Sequence, residues 1–238
     1  MTTLIKIIVA AIISLTLFSC KFDMGERGNG NVVTSNRMIT ESFTTIKATE
    51  GLDVYLTQSN TESIVVEADE NLQDLILTDI EDGVLKIHCK ESIGYSTTLK
   101  VNVNFKNVSS IISTSGSDVL AKTPIVTEHL SLKSSSGSDM KLEVKTNSLN
   151  CKASSGSDIR LSGSTQTLTA EASSGSDIRA ADLITKSSEV KASSGAGITV
   201  NTTETLIAKA SSGADVNYYG NPKTVDKSDS SSGSIVQR

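Results

Sequence analysis

The chain has 238 residues, with 22 Lys and Arg against 27 Asp and Glu and a formal net charge of −5. An overall acidity of this kind argues against nucleic acid as a partner, because phosphate recognition draws on basic surface. Aromatic residues make up only 3% and Trp is absent, so the core must be assembled from Ile, Val, Leu and Ala, as suits thin aligned aliphatic columns rather than clustered rings.

The first segment is read as a targeting sequence and set aside from the fold. A basic start ending at Lys6 leads into an uncharged run from Ile7 to Phe18, too short for the roughly 20 residues a bilayer span requires. It ends in Leu17-Phe18-Ser19-Cys20, which resembles the lipobox of bacterial lipoproteins. The resemblance implies residues 1–19 as a signal peptide, cleavage before Cys20, and a lipid on the Cys20 thiol. The expected location is the cell envelope, as an outer-membrane lipoprotein facing the periplasm or the cell exterior. The membrane is then a partner through the lipid alone. Residues 20–35, rich in Gly and Asn, are expected to form a flexible tether.

Residues 36–107 read as irregular β structure that caps the periodic region beginning at residue 108. Apolar and polar residues alternate around Phe43–Ala48, Leu52–Leu56, Ile64–Ala68, Val84–Cys89 and Leu99–Phe105, the period of a strand with one buried face. Asp82-Gly83 between two such runs predicts a hairpin turn, and Asn71–Ile76 has room for one helical turn.

From residue 108 to 238 the chain is periodic. Ser-Gly recurs with its glycine at 116, 137, 156, 175, 195, 213 and 233. Alternation leads into and out of each glycine, as in Leu149, Cys151, Ala153 and then Ile159, Leu161. A repeat of about 20 residues with two strands cannot bury its own apolar face, but stacked repeats can, each adding a rung about 4.8 Å above the last. The expected fold is all-β: a parallel β-helix, or solenoid, of about seven Ser-Gly repeats. Ala153, Ala172, Ala192 and Ala210 should form one column, Leu149, Leu168 and Leu206 another, and Ile159, Ile178, Ile198 and Val216 a third. The glycine is expected at φ > 0.

Taken together, the lipobox, Gly51–Gln58 (GLDVYLTQ), Val65–Ala68 (VVEA), Asp82–Ile87 (DGVLKI) and the serial Ser-Gly-Ser-Asp motifs resemble the auto-transporter adhesin, head GIN domain family of Bacteroidetes-type bacteria. The resemblance covers most of the chain after Cys20. It implies a single-stranded, right-handed parallel β-helix and brings no catalytic residues.

Candidate chemistry is sparse. Asp118, Asp139, Asp158 and Asp177, with Asp215 at the same offset, follow their glycines and predict an acidic column. Such a column could attract Ca²⁺, but the motif carries one glycine where calcium β-roll repeats carry more, and an Asx-type role at the turn competes. No metal and no cofactor is called for. Serine is abundant, yet the only histidines are His88 and His129, both placed as surface residues, and no nucleophile elbow or phosphate loop is present. Polysaccharide cleavage lacks clustered acids beside aromatic platforms. Cys89 and Cys151 fall at apolar positions and read as small hydrophobes, and nothing in their spacing argues for a disulfide. The expectation is therefore a non-catalytic surface protein, an adhesin or scaffold. The alternatives are a glycan-binding module using the adjacent rings of Tyr218 and Tyr219, or a structural protein of the periplasm.

Overall fold

The computed structural model describes residues 25–230 and 232–238. The signal segment and Cys20 lie outside the described residues. In chain order the strands are β1 (Val32–Arg37), β2 (Thr45–Ala48), β3 (Asp53–Gln58), β4 (Ser63–Asp69), β5 (Ile76–Glu81), β6 (Val84–Cys89), β7 (Leu99–Phe105), β8 (Ser110–Ser113) and β9 (Asp118–Ala121). They continue with β10 (Ile125–Ser135), β11 (Asp139–Ser154), β12 (Asp158–Ser173), β13 (Asp177–Ser193), β14 (Gly197–Ser211), β15 (Asp215–Tyr219), β16 (Thr224–Ser230) and β17 (Ser234–Gln237). A 3-10 helix, Glu70–Leu75, joins β4 to β5.

The periodic region is a β-solenoid of stacked parallel strands, as its glycine spacing requires. Strand β11 pairs in parallel with β12, β12 with β13, and β13 with β14. The expected columns are realised in the register. Ala153 stands opposite Ala172, Ala172 opposite Ala192, and Ala192 opposite Ala210, while Ile159, Ile178, Ile198 and Val216 align in the same way. All eight are buried. Full burial of one Ile or Leu contributes roughly 1.5–3 kcal/mol, and alignment makes a slip of one residue turn every such side chain outward. The Leu column is interrupted: Leu168 stands opposite Ser188, which in turn stands opposite Leu206.

Each coil has two corners. The first is the Ser-Gly turn, and here the serine as well as the glycine takes φ > 0: 56° at Ser155 and 70° at Gly156, with near-identical values at the repeats from Ser115 to Gly213. The last repeat departs from this, because Gly233 lies outside the left-handed region and is instead packed against the Ala210 backbone. Two consecutive left-handed residues define a type I′-like turn. A Cβ on Gly156 would meet nothing within 4 Å, so the demand for glycine is conformational and not steric. From Gly116 to Gly195 each turn-glycine amide donates to the serine carbonyl of the next turn, as from Gly137 to Ser155 and from Gly156 to Ser174, both at 3.1 Å. The turns thus extend the sheet's hydrogen bonding around the corner. The second corner lies at Asn147, Gln166 and Lys186, where inward-outward alternation slips by one residue. It is lined inside by Thr146, Thr165, Thr185 and Thr202. Their hydroxyls bond to one another and to Ser188, with Thr146 to Thr165 at 2.9 Å and Ser188 to Thr202 at 2.7 Å. That network satisfies the polar group in the gap of the Leu column.

The region before the repeats departs from expectation in two ways. First, it is partly periodic. Glu50-Gly51 adopts the same turn, with φ of 65° and 73°, and β2–β3 form a full rung against β8–β9. Glutamate in place of serine concealed the repeat. Second, the stacking order is not the chain order. Strands β6 and β7 pair in parallel with the opposite edges of β2 and β3. The rung of residues 84–105 therefore lies outside that of residues 45–58, and the chain then crosses back to build the rung at 110–121. Antiparallel strands cover the outer side: β5 on β6, β4 on β7, and β1 on β4. This occupies a sheet edge that would otherwise expose unpaired backbone. The expected hairpin at Asp82-Gly83 is the β5–β6 connection.

Residues 25–35, expected within a tether, are instead held against the cap. Asp69, fully buried, accepts hydrogen bonds from the Gly30 amide at 2.6 Å and the Thr97 amide at 2.7 Å. Gly28 donates to the Tyr95 carbonyl, and residues 32–37 are strand β1. Glycine is needed at position 28 because a Cβ would press on the Asp69 carboxylate. The composition looked like a linker; its amides are in fact ligands of a buried acid.

Candidate functional site

The solenoid's chemistry lies in its outward columns. On the face that follows the Ser-Gly turn, Asp53, Asp118, Asp139, Asp158 and Asp177 stand opposite one another in one ladder. Gly197 then interrupts it before Asp215. Sequence spacing located the members from Asp118 onward and missed Asp53, whose rung lacks the Ser-Gly signature. At about 4.8 Å spacing, neighbouring carboxylates repel by about 0.9 kcal/mol at the dielectric of water. The consequence is visible at Asp118, whose pKa is raised by partial burial and then by the charges of Asp139 and Asp53. Burial also raises Asp53, against the pull of Lys100.

Cations stand two residues further along β11, β12 and β13, in the column Lys141, Arg160 and Arg179. Arg179 bridges two rungs, to Asp158 at 2.7 Å and Asp177 at 2.6 Å, and Arg160 lies 3.6 Å from Asp158. Partial burial works against the Arg179 charge, but Asp158 and Asp177 hold it protonated more firmly than usual. This end of the acid ladder is thus neutralised by the chain itself. Among the described residues no group of three or more His, Cys, Asp or Glu side chains is arranged to hold a metal ion. A shallow cleft of about 520 Å³ lies over these columns, lined by Lys141, Glu143, Arg160, Arg179 and Asp182 among others.

The face that precedes the turn carries a different pattern. Lys133, Lys152, Glu171, Lys191 and Lys209 share one outward column, all exposed. Ile112 interrupts it next to Lys133, and Lys47 and Lys86 continue it beyond, toward the cap. The overall acidity concealed this basic stripe. It was legible in one respect: the lysines recur four residues before the turn glycines. Ser135, Ser154, Ser173, Ser193 and Ser211 run beside it, the polar ladder expected next to the turn.

The proposed sugar platform does not form. Adjacent residues on a strand point to opposite sides. Tyr218 is buried at 4% exposure and closes the core, its ring covered by Lys227 at 4.6 Å, whereas Tyr219 is 40% exposed. His88 contacts Asp79 at 2.8 Å near the cap and His129 is exposed beside the second corner, and neither lies beside the turn serines. Cys89 and Cys151 are free thiols. Burial, with a smaller contribution from Glu50, pushes Cys89 up to about 11, and complete burial raises Cys151 further. Cys20 lies outside the described residues.

Fold and surface together define a single-chain parallel β-solenoid with an antiparallel cap, displaying charged and hydroxyl ladders along its length. Residues 42–222 match the family described as "Putative auto-transporter adhesin, head GIN domain", and the chain belongs to that family. Solved structures with the same fold include a protein described as a putative adhesin from Bacteroides fragilis, 19% identical, with a TM-score of 0.83 over 90% of this chain and 100% of that one. A putative adhesin from Parabacteroides merdae is 22% identical, with a TM-score of 0.72 over 90% of this chain and 99% of that one. A protein from Parabacteroides distasonis described as a putative lipid binding protein has the same identity, TM-score and coverage. No match was found among curated proteins.

Proposed function

We propose that this chain is a non-catalytic lipoprotein of the cell envelope that displays the solenoid's two long faces for adhesion or scaffolding. The observation that carries this reading is the run of mostly polar outward columns over successive rungs, joined to a sequence whose start carries the lipobox at Cys20. Regular stacking makes such a surface stiff, since each rung is hydrogen-bonded to both neighbours. Membership of an adhesin-described family supports it.

Two measurements test the reading. Metabolic labelling with a radioactive fatty acid should mark the wild-type chain and leave Cys20→Ser unlabelled; equal labelling of both would remove the anchor. Protease treatment of intact cells should cleave the displayed protein. Complete protection would rule out outward display and leave the periplasmic scaffold as the surviving form.

A further inference from the structure

The basic stripe is built differently from the acidic one. Lys152 pairs with Glu171 at 2.9 Å, but among the described residues Lys133, Lys191 and Lys209 have no ion-pair partner. Lys133 stands directly against Lys152, and Lys191 against Lys209. Neighbouring rungs lie about 4.8 Å apart, so these like charges repel and an external anion would relieve them. Between the lysine and serine columns runs a groove of about 250 Å³. Lys152, Glu171 and Lys191 form one wall, Ser154, Ser173 and Ser193 the other, and Ala153 and Ala172 the floor. The Ala side chains point into the core, so the floor is strand backbone and the outward Lys, Glu and Ser side chains make the depth.

We infer that this groove binds a linear acidic polysaccharide laid along the solenoid axis. The inference rests on the display reading above and names the partner class for one of the two faces. The lysines would meet the carboxylates of a uronate chain, and the serine hydroxyls would exchange hydrogen bonds with the sugar hydroxyls. The period fits, because a pyranose ring in an extended chain advances by about one rung. Glu171 and, on the neighbouring column, Glu189 interrupt the positive field and favour a polymer with spaced charges over a dense one. A nucleic acid fits less well. The outward columns of this face, Ser131 through Ile207, Lys133 through Lys209 and Ser135 through Ser211, contain no aromatic ring on which bases could stack.

The test is affinity electrophoresis of the full chain in neutral detergent through gels containing polygalacturonate, with dextran as the uncharged control and oligothymidylate as the competing polyanion. The chain should be retarded by polygalacturonate alone, and added salt should weaken the retardation. Exposed ion pairs contribute roughly threefold each, so replacing Lys133, Lys152, Lys191 and Lys209 with Ser should weaken binding on the order of 100-fold. Glu171→Lys should tighten it, and Lys141→Ser on the opposite face should leave it unchanged. Far-ultraviolet circular dichroism of each variant verifies the fold. Absence of retardation, equal retardation of the fourfold variant, or equal binding of oligothymidylate would overturn the inference. Loss of binding with protease accessibility intact on cells removes only the ligand. Protection on cells with binding intact removes only outward display.

Discussion

The buried serines at the first corner allow a sharp test of how this solenoid holds its turns. Ser138 is fully buried; its Oγ accepts from the Ser135 amide at 3.1 Å and lies 2.8 Å from the Ser113 carbonyl of the preceding rung. Ser134 lies opposite, its Oγ 2.9 Å from both the Oγ and the carbonyl of Ser138. Successive rungs vary this pair in an ordered way. It is Ser113 with Ser117 and Ser134 with Ser138, then Ala153 with Ser157 and Ala172 with Ser176, then Ala192 with Ala196 and Ala210 with Ala214. Among these rungs, none has Ser at the first place and Ala at the second. The second serine caps the turn whatever its partner, as Ser157 does for the Ser154 amide at 3.1 Å, whereas the first serine bonds only back to residue 138, at its Oγ and its carbonyl.

Ser138→Ala removes the bonds to the Ser135 amide and the Ser113 carbonyl together with the Ser134 Oγ contact; at about 1 kcal/mol for each bond it is expected to cost about 2–3 kcal/mol. Ser134→Ala recreates the Ala–Ser pair of the next two rungs and should cost less than about 0.5 kcal/mol. The double substitution recreates the Ala–Ala pair, and should cost no more than Ser138→Ala alone, because the Ser134 hydroxyl has by then lost its side-chain partner. Urea denaturation of the three variants measures the totals, and hydrogen exchange at the Ser135 amide reports the local opening that a stacked array permits. A larger loss for Ser134→Ala than for Ser138→Ala, or a double variant matching the sum, would refute this account of the turn.

Two glycines with φ > 0 should separate conformational from steric demand: Gly156→Ala should cost about 1 kcal/mol, while Gly163→Ala, whose Cβ would collide with the Val144 carbonyl oxygen, should lower the urea midpoint far more. Asp69 loses solvation on burial, but the amides of Thr97 and Gly30 and the Thr97 hydroxyl outweigh this and hold its pKa below 3.8. Its contribution to stability is therefore present above that value and fades as pH falls through the depressed pKa. Exchange protection at Gly30 and Thr97 should drop in that acid range, and Asp69→Asn should lack the transition. Native alkylation with iodoacetamide should reach half-buried Cys89 slowly and buried Cys151 only on unfolding, because both thiols resist ionisation; labelling of Cys151 first would contradict its placement. Calcium titration should leave the melting temperature unchanged, since Arg179 already bridges Asp158 and Asp177, and an upward shift abolished by Asp118→Asn and Asp139→Asn would show otherwise.

What the amino-acid sequence settled alone is the solenoid from residue 108 onward and the Ala and Ile columns inside its rungs. Period-two alternation names the buried face, and a near-constant interval between turn glycines leaves a parallel stack as the arrangement that buries every face at once. Four things needed the tertiary structure. The rung at residues 45–58 hid behind Glu50, which enters the left-handed region where other turns use Ser. The rung at 84–105 is placed outside it by pairing with a free edge, and edges are properties of the assembled sheet that no local pattern records. Residues 25–35 resembled a linker because amides bound by a buried acid need small residues just as a flexible chain does. The lysine stripe and the enlarged aspartate ladder appear only once rungs are superposed, since a net charge sums over all faces while a partner meets one of them.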